Sequence, residues 1–474
     1  MSTGAPANTT RHAAPASDAA TTASCIPDVS IAALFRLAAP ILIAQLAVIA
    51  LGVIDTVMAG RLSARDLAAV AIGSSIYASV FVGMMGVLQA LTPIAGRHFG
   101  AGRYDEVGLD LIHGLWLAAA LSAVGAPLLL TNGQWLHWVD IEPAVRPIAS
   151  TYLVALGLGL PAALATRAYV AIHAAVGRPT VTMTINIAAL GAKIPLNLAF
   201  MYGSGPLPAL GGAGCGVATA VLLWGILLAN WLVWRLDPFY ARFRLADAAP
   251  RAPVWRRQRE LLRLGLPSGG SVLIEVTSFT FITLLLAPLG AVVVAGHQIL
   301  VNLVSTLYML PLSLGVAGSV LVSQALGAAA PSLARRAAVR CYWLAVGLAL
   351  LLATALFFAR EPFVAAFTTD ASVAAVALGA IGLSALFHVF DAMQAAASFL
   401  LRGYKVALAP MLIHSMALWG LGLLGGYWLA FHTELGARLG GAASFWAAAD
   451  VGLILAAGAL SWILARVTRQ HWAA

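Results

Sequence analysis

The stretch LFRLAAPILIAQLAVIALGVIDTVM, residues 34–58, decides the fold. It holds only two charged residues, Arg36 near its start and Asp55 near its end. A hydrocarbon core of about 30 Å takes roughly 20 apolar residues of helix, so the stretch reads as a transmembrane helix that carries one acid into the bilayer. Apolar stretches of the same kind recur at 67–95, 108–130, 147–171, 180–202 and 213–234, and again at 262–287, 292–325, 338–359, 372–400, 407–430 and 441–465. About twelve spans follow, and with them an all-α integral membrane protein. Composition agrees: of 474 residues 61% are hydrophobic and 9% charged, with a mean hydropathy of +0.92. A soluble domain carries roughly a quarter charged residues; this chain has too few to cover a water-facing surface.

The net charge of +9 suggests a nucleic-acid partner, but its distribution argues against one. The basic residues sit in short blocks between apolar runs, as cytoplasmic loops do. Arg97 and Arg103, then Arg178, then the run from Arg235 to Arg263, then Arg335, Arg336 and Arg340, then Arg402 and Lys405 fall in alternate connections. The positive-inside rule therefore places both termini and the 235–263 connection in the cytoplasm. The expected organisation is a cytoplasmic tail over 1–30, a first six-helix lobe over 31–236, an inter-lobe loop over 237–258 and a second lobe over 259–474. An internal repeat supports two lobes. LAAPILIAQ (37–45) is echoed by LGLPSGGSV (264–272), and RHFGAGR (97–103) by SQALGAA (323–329). Six spans per lobe is an even number, so the repeats run parallel about an axis along the membrane normal, with a cleft between them. Cys25, Cys215 and Cys341 are odd in number and lack CxxC pairing, which supports neither a disulfide framework nor a zinc site.

Ionisable groups inside membrane helices are costly and mark pathways or coupling sites. Asp55, Lys193, Glu275, Asp391 and Asp450 lie within the spans, with His297, His388 and His414 as weaker candidates. Glu275 is twelve residues past Arg263 and Asp391 eleven before Arg402. At 1.5 Å per residue both sit about 16–18 Å from the same membrane edge. Two carboxylates at matched depth can share one cation or one proton. His388, at i−3 from Asp391, either relays that proton or is a satisfied interhelical histidine. In the first lobe Asn186, Lys193 and Asn197 share a helix face. Lys193 lies deep enough to need an anion, and Asp55 is nearest in height. The pair is either a site that a substrate or proton competes for, or a permanent salt bridge. Pro195 between Lys193 and Asn197 bends that helix. Asp450 has no evident partner.

Six stretches keep the order of a known family along nearly the whole chain beyond residue 30: VIDTVMAGRLSARDLAAVAIGSSI (53–76), IPLNLAFMYG (194–203), LGGAGCGVATA (210–220), LIEVTSF (273–279), APLGAVVVAGHQI (287–299) and DAMQAAASFLLRGYK (391–405). Together they resemble the NorM branch of the multidrug and toxic compound extrusion (MATE) exporters. The resemblance implies a bacterial inner-membrane antiporter with two six-helix lobes, which exports cationic amphipathic compounds in exchange for Na+ or H+ by alternating access, without a cofactor or enzymatic step. It assigns cation coupling to Glu275 and Asp391 and a first-lobe acid site to Asp55 and Asn197. Lys193 stands where that family has an asparagine, which implies a first lobe already neutralised by its own ammonium. Met84, Met85, Phe279, Tyr308, Met309 and Phe387 are candidate wall residues for varied organic cations. One chain encloses the cleft, so a monomer is sufficient.

A lipid-linked precursor flippase of the same superfamily is the alternative. It would require cleft arginines for an anionic headgroup and usually two more helices, whereas the cleft charges here read as mainly acidic. A major-facilitator transporter would need GxxxDRxGRR between helices two and three, where this chain has RHFGAGRYDE (97–106). A membrane-embedded enzyme would need a constellation such as HExxH or GxSxG, and neither appears.

Overall fold

The computed structural model describes residues 27–138, 141–203, 208–243 and 252–473. Most of the 1–30 tail, Cys25 and part of the 237–258 loop lie outside the described residues. Twelve helices are long and apolar enough to span a bilayer: α1 (Ile31–Leu62), α2 (Ala64–Gly100), α3 (Tyr104–Leu130), α4 (Arg146–Ala175), α5 (Pro179–Tyr202), α6 (Ala213–Leu236), α7 (Trp255–Leu289), α8 (Ala291–Gly327), α9 (Pro331–Phe358), α10 (Ala371–Gly403), α11 (Leu408–His432) and α12 (Gly441–His471). Their starts follow local chemistry. Ser30 Oγ accepts from Ala33 N at 3.1 Å and Ser63 Oγ from Asp66 N at 3.0 Å. At α10, Asp370 accepts from Ser372 and from the amides of Ser372 and Val373, hydrogen bonds that hold its carboxyl below the usual range.

Large apolar side chains such as Val53, Val124, Leu158, Leu351 and Leu455 stay exposed on the outside of the bundle. That inversion of the water-soluble pattern is expected where lipid is the solvent. Alanine is the most frequent buried residue between helices, and several glycines rest directly on a neighbouring backbone, because close van der Waals packing replaces the hydrophobic effect in a bilayer. α4 and α10 are enclosed at the centres of the two six-helix halves.

The halves are related by a two-fold pseudo-symmetry. α1 packs on α8, and its counterpart α7 packs on α2. The turns after α2 and α8 superpose in hydrogen bonding: Ala101 N to Arg97 O matches Ala328 N to Gln324 O, and Arg103 N to His98 O matches Ala330 N to Ala325 O. Arg97 thus corresponds to Gln324, one residue later than the aligned RHFGAGR and SQALGAA stretches suggest. The corrected offset agrees with that of Pro40 and Pro267 inside α1 and α7.

Glycines let the halves meet near the end that carries the arginine blocks. A Cβ on Gly86 would lie 2.6 Å from Gly269 Cα, and one on Gly265 would collide with the Val87 carbonyl. Gly100 rests on the backbone of Gln324, and Gly327 on that of Arg97. Beyond these contacts lies a cavity lined by Gln45, Met85 and Gln89 of the first half and by residues of α7, α8 and α10 of the second.

Candidate functional site

The cavity has a volume of about 430 Å³ and is lined by both acids expected of the second half, Glu275 from α7 and Asp391 from α10. The two side chains reach the same space from different helices. Asp391 Oδ1 accepts from Gln394 Nε2 at 2.8 Å, and Gln394 Oε1 in turn pairs with His414 Nε2 from α11. The carbonyl side of Gln394 is an acceptor, so His414 donates and carries its proton on Nε2. Arg402 lines the same cavity: its Nη1 donates to Gln89 of α2 at 2.8 Å, and its guanidinium lies 4.4 Å from the Phe399 ring centroid.

Two expectations fail here. His388 does not bond to Asp391; both its ring nitrogens are buried without a partner among the described residues, and Gln394 holds the carboxylate instead. The i+3 neighbour on the inner side of the helix faces the cavity, whereas the i−3 neighbour is turned into the packed second half. Met84 is also not a wall residue. Its thioether abuts Gly125 of α3, in the core of the first half, because one residue turns about 100° around a helix away from Met85, which does line the cavity. Phe279, Tyr308, Met309 and Phe387 line it too. Phe279 and Phe387 pack edge to face at 5.8 Å, and both touch the Trp446 ring, at 6.0 and 5.1 Å.

The first half holds a second polar cluster. Lys193 Nζ lies 2.9 Å from Asp55 Oδ1 and donates to Thr219 Oγ1 at 2.5 Å. Asn197 Nδ2 donates to Asp55 Oδ1 at 2.8 Å, and Thr219 Oγ1 reaches Asp55 Oδ2 at 3.2 Å. Lys193 and Asn197 are fully buried. Asn186, on the same face, bonds instead to the Ala44 carbonyl of α1 at 3.1 Å. The 53–76 and 210–220 stretches that flank this cluster meet as well: Asp66 Oδ1 accepts from Gly212 N at 2.7 Å, a close approach that Gly211 permits with φ +57°. Asp450 is buried with neither carboxylate oxygen bonded among the described residues.

Thr219, Gln394 and Gln89 are not legible in the sequence, because a lone neutral polar residue in an apolar run carries little cost that would single it out. Arg167 escaped the sequence reading although its signal was present, a guanidinium within the 147–171 span. It lines a smaller cavity that shares Gln45, Met85 and Gln89 with the main one. The combined space is therefore not mainly acidic: Arg167 and Arg402 face it together with Glu275 and Asp391.

Twelve spanning helices in two pseudo-symmetric halves, with Glu275, Asp391 and Arg402 lining an internal cavity, define a polytopic membrane transporter. The MatE family pattern matches residues 40–199 and 267–428. The chain is 42% identical to a probable multidrug resistance protein NorM of Aromatoleum aromaticum over 440 residues, 92% of this chain and 94% of that protein. It is 37% identical to a probable NorM of Neisseria meningitidis serogroup B over 438 residues, with the same coverage. Among solved structures, an outward-facing multidrug resistance MATE transporter superposes with a TM-score of 0.83 at 18% identity, covering 94% of this chain and 98% of that one, which speaks for the fold alone. The chain belongs to the MATE family, in its NorM-like branch, and is a bacterial multidrug efflux transporter.

Proposed function

We propose that the protein is a secondary active antiporter, which exports cationic amphipathic compounds in exchange for Na+ or H+. The observation that carries this reading is the placement of Glu275 and Asp391 on one cavity, each from a different helix. Two carboxylates in a low-dielectric space repel one another, and a cation or a proton relieves that repulsion. A drug cation held against the aromatic wall of Phe279 and Phe387 draws on the same negative charge. Arrival of the coupling ion cancels that charge and loosens the drug, and the two occupancies favour different arrangements of the lobes. Gln394, oriented by His414, keeps Asp391 aimed into the cavity.

In the first half Lys193 already neutralises Asp55, so coupling falls to the second half. The arginine blocks orient the closed end of the bundle towards the cytoplasm, with both termini on that side of the inner membrane. The cavity lies between halves of one chain, and a monomer suffices.

The test is dye efflux from proteoliposomes with a sodium gradient or a proton gradient imposed separately, for the natural chain and Glu275→Gln. Efflux driven by one gradient and lost in Glu275→Gln supports the reading and names the ion. Efflux indifferent to both gradients, or retained in Glu275→Gln, removes the coupling site.

A further inference from the structure

The second half buries four polar side chains that no hydrogen bond accounts for. Both ring nitrogens of His297 in α8 and of His388 in α10, Nε1 of Trp446 and both carboxylate oxygens of Asp450 in α12 are without a partner among the described residues. None of the four residues is more than 3% exposed. Buried polar groups are almost always hydrogen-bonded, so four lapses in one region point to one cause. Aromatic contacts behind the cavity wall bring them together. The Trp446 ring lies 5.9 Å from the His297 ring and 5.1 Å from that of Phe387, the residue before His388. Asp450 stands one turn beyond Trp446 on the same face of α12. A different face meets α11: a Cβ on Gly422 would lie 3.5 Å from Ala449 Cα, and Gly452 abuts the Ala417 carbonyl. At about 100° per residue Asp450 is turned off that contact, to the side on which Trp446 meets α8 and α10. On the helices packed against α12 the other buried titratable side chains are engaged. Gln394 holds Asp391 and His414, Ser461 holds Tyr342 at 2.7 Å, and the Leu314 carbonyl holds Cys341 at 3.1 Å. Glu275, Tyr308 and Arg402 line the cavity. His297 and His388 are left for Asp450.

We infer that Asp450 is a proton-binding site inside the second half, separate from the cavity, whose carboxyl group takes up and gives up one proton through water shared with His297, His388 and the Trp446 indole. A carboxylate at this depth is costly to keep ionised without a partner, and a proton removes the charge outright. The donor set suits a proton rather than a metal ion. One carboxyl group, two imidazoles and an indole N–H, which only donates, lack the several oxygens that a hard cation takes. No group of three or more metal-ligating side chains occurs among the described residues. A buried water makes about three hydrogen bonds, and the Trp446 N–H, an Asp450 oxygen and an imidazole nitrogen supply that number. The proton comes from bulk water and returns to it, so that carboxylate and H+ become carboxylic acid and nothing else changes. Trp446 also packs on Phe279 of the cavity wall at 6.0 Å, which carries the charge state of Asp450 to that wall. The site stands whatever compound the cavity carries and does not rest on the export reading.

The test is difference infrared spectroscopy of the full chain in lipid between about pH 5 and about pH 9, on E275Q/D391N with and without D450N. Every other acid is common to the two chains and cancels in the subtraction. We expect one carbonyl stretch of a protonated carboxyl group, present at the lower pH and lost at the higher, which D450N removes. W446F keeps the aromatic packing and deletes the N–H; it should shift that band in frequency, which a merely structural tryptophan would not do. A band present at both pH values, or absent at both, overturns the site, because Asp450 then never exchanges its proton. Spectra identical with and without D450N overturn it as well, and a band that W446F leaves unmoved overturns the shared hydrogen bonding. If D450N does not fold, the W446F shift decides alone. If E275Q/D391N does not reach the membrane, the same subtraction is made on the natural chain.

Discussion

Lys193 and Asp55 form an ion pair in which the two side chains are 1% and 9% exposed, and that number decides how the pair behaves under mutation. Surface pairs are worth little, but removing one member of a buried pair strands the other charge, at a cost of about 3–5 kcal/mol. Lys193→Met should therefore lower the thermal midpoint of the purified protein by several degrees, and Asp55→Asn combined with Lys193→Met should recover most of the loss. Thermal unfolding followed by tryptophan fluorescence reads both; a double variant as unstable as the single one would show that Thr219 and Asn197, not charge balance, hold the site. Lys193→Asn should also open Asp55 to a mobile cation and so alter the ion dependence of efflux. Identical ion titrations of this variant and the natural chain would return the first lobe to a purely structural role. These acids were legible in the sequence because a charge in an apolar run is conspicuous. Gln394, which holds Asp391, was not, since an amide among alanines carries no cost that points to its partner, and His414 stood out only as a weaker candidate with no partner named. The orphaned nitrogens of His388 show the converse, where helical spacing names a neighbour without saying which of two neighbours the packing admits.

Helices were the most readable elements, because length and hydropathy determine them without reference to partners. α8, expected over 292–325, spans Ala291–Gly327, and α2, expected over 67–95, spans Ala64–Gly100. The crossings were less readable: the glycines of α2, α7 and α8 are scattered among many others, and only the structure shows which meet backbone to backbone. α11 is wound as a π-helix over Ser415–Gly425, directly after His414, and no residue type announces it. The crossing of α2 on α7 yields a prediction. Gly86 and Gly269 leave no room for a side chain, and a valine at position 86 forces the helices apart at the end where the halves are joined. Gly86→Val should cut transport at least about tenfold, a barrier change of roughly 1.4 kcal/mol. Labelling of an introduced cysteine at the arginine-rich end should rise in parallel. Gly83→Val is the control, since a Cβ there meets nothing closer than Leu273 at 3.7 Å. Equal losses in the two variants would mean that the helix, not the crossing, is sensitive.

At the scale of the whole molecule the arginine-rich end is closed by apolar packing, glycine contacts and a small set of charges that join the halves. Arg257 of α7 reaches Glu106 of α3 at 2.6 Å and Asp110 at 3.8 Å, while His98 pairs with Asp110 at 2.6 Å. Among the described residues no ion pair joins the halves at the opposite end. If the proposed alternating movement opens this end to load substrate, its charges should hold weakly. The Arg257 and Glu106 side chains are 29% and 35% exposed, and partly solvated pairs of this kind contribute about 0–1 kcal/mol. Glu106→Gln should accordingly change efflux by less than about fivefold, and raised salt should have a similarly small effect. A covalent link at the same place should act quite differently. With Cys25 replaced by serine and Cys215 and Cys341 left buried, cysteines at positions 106 and 257 can be joined by a short bismaleimide. If the closed end must open to admit substrate, the link abolishes efflux, while the unlinked double-cysteine protein keeps the activity of Glu106→Gln to within a few-fold. Efflux that persists after complete cross-linking, confirmed by mass, would mean that the cavity is loaded without separating α3 from α7. Substrate would then enter laterally from the bilayer, and the alternating movement of the halves would have to be abandoned in favour of motions within one of them.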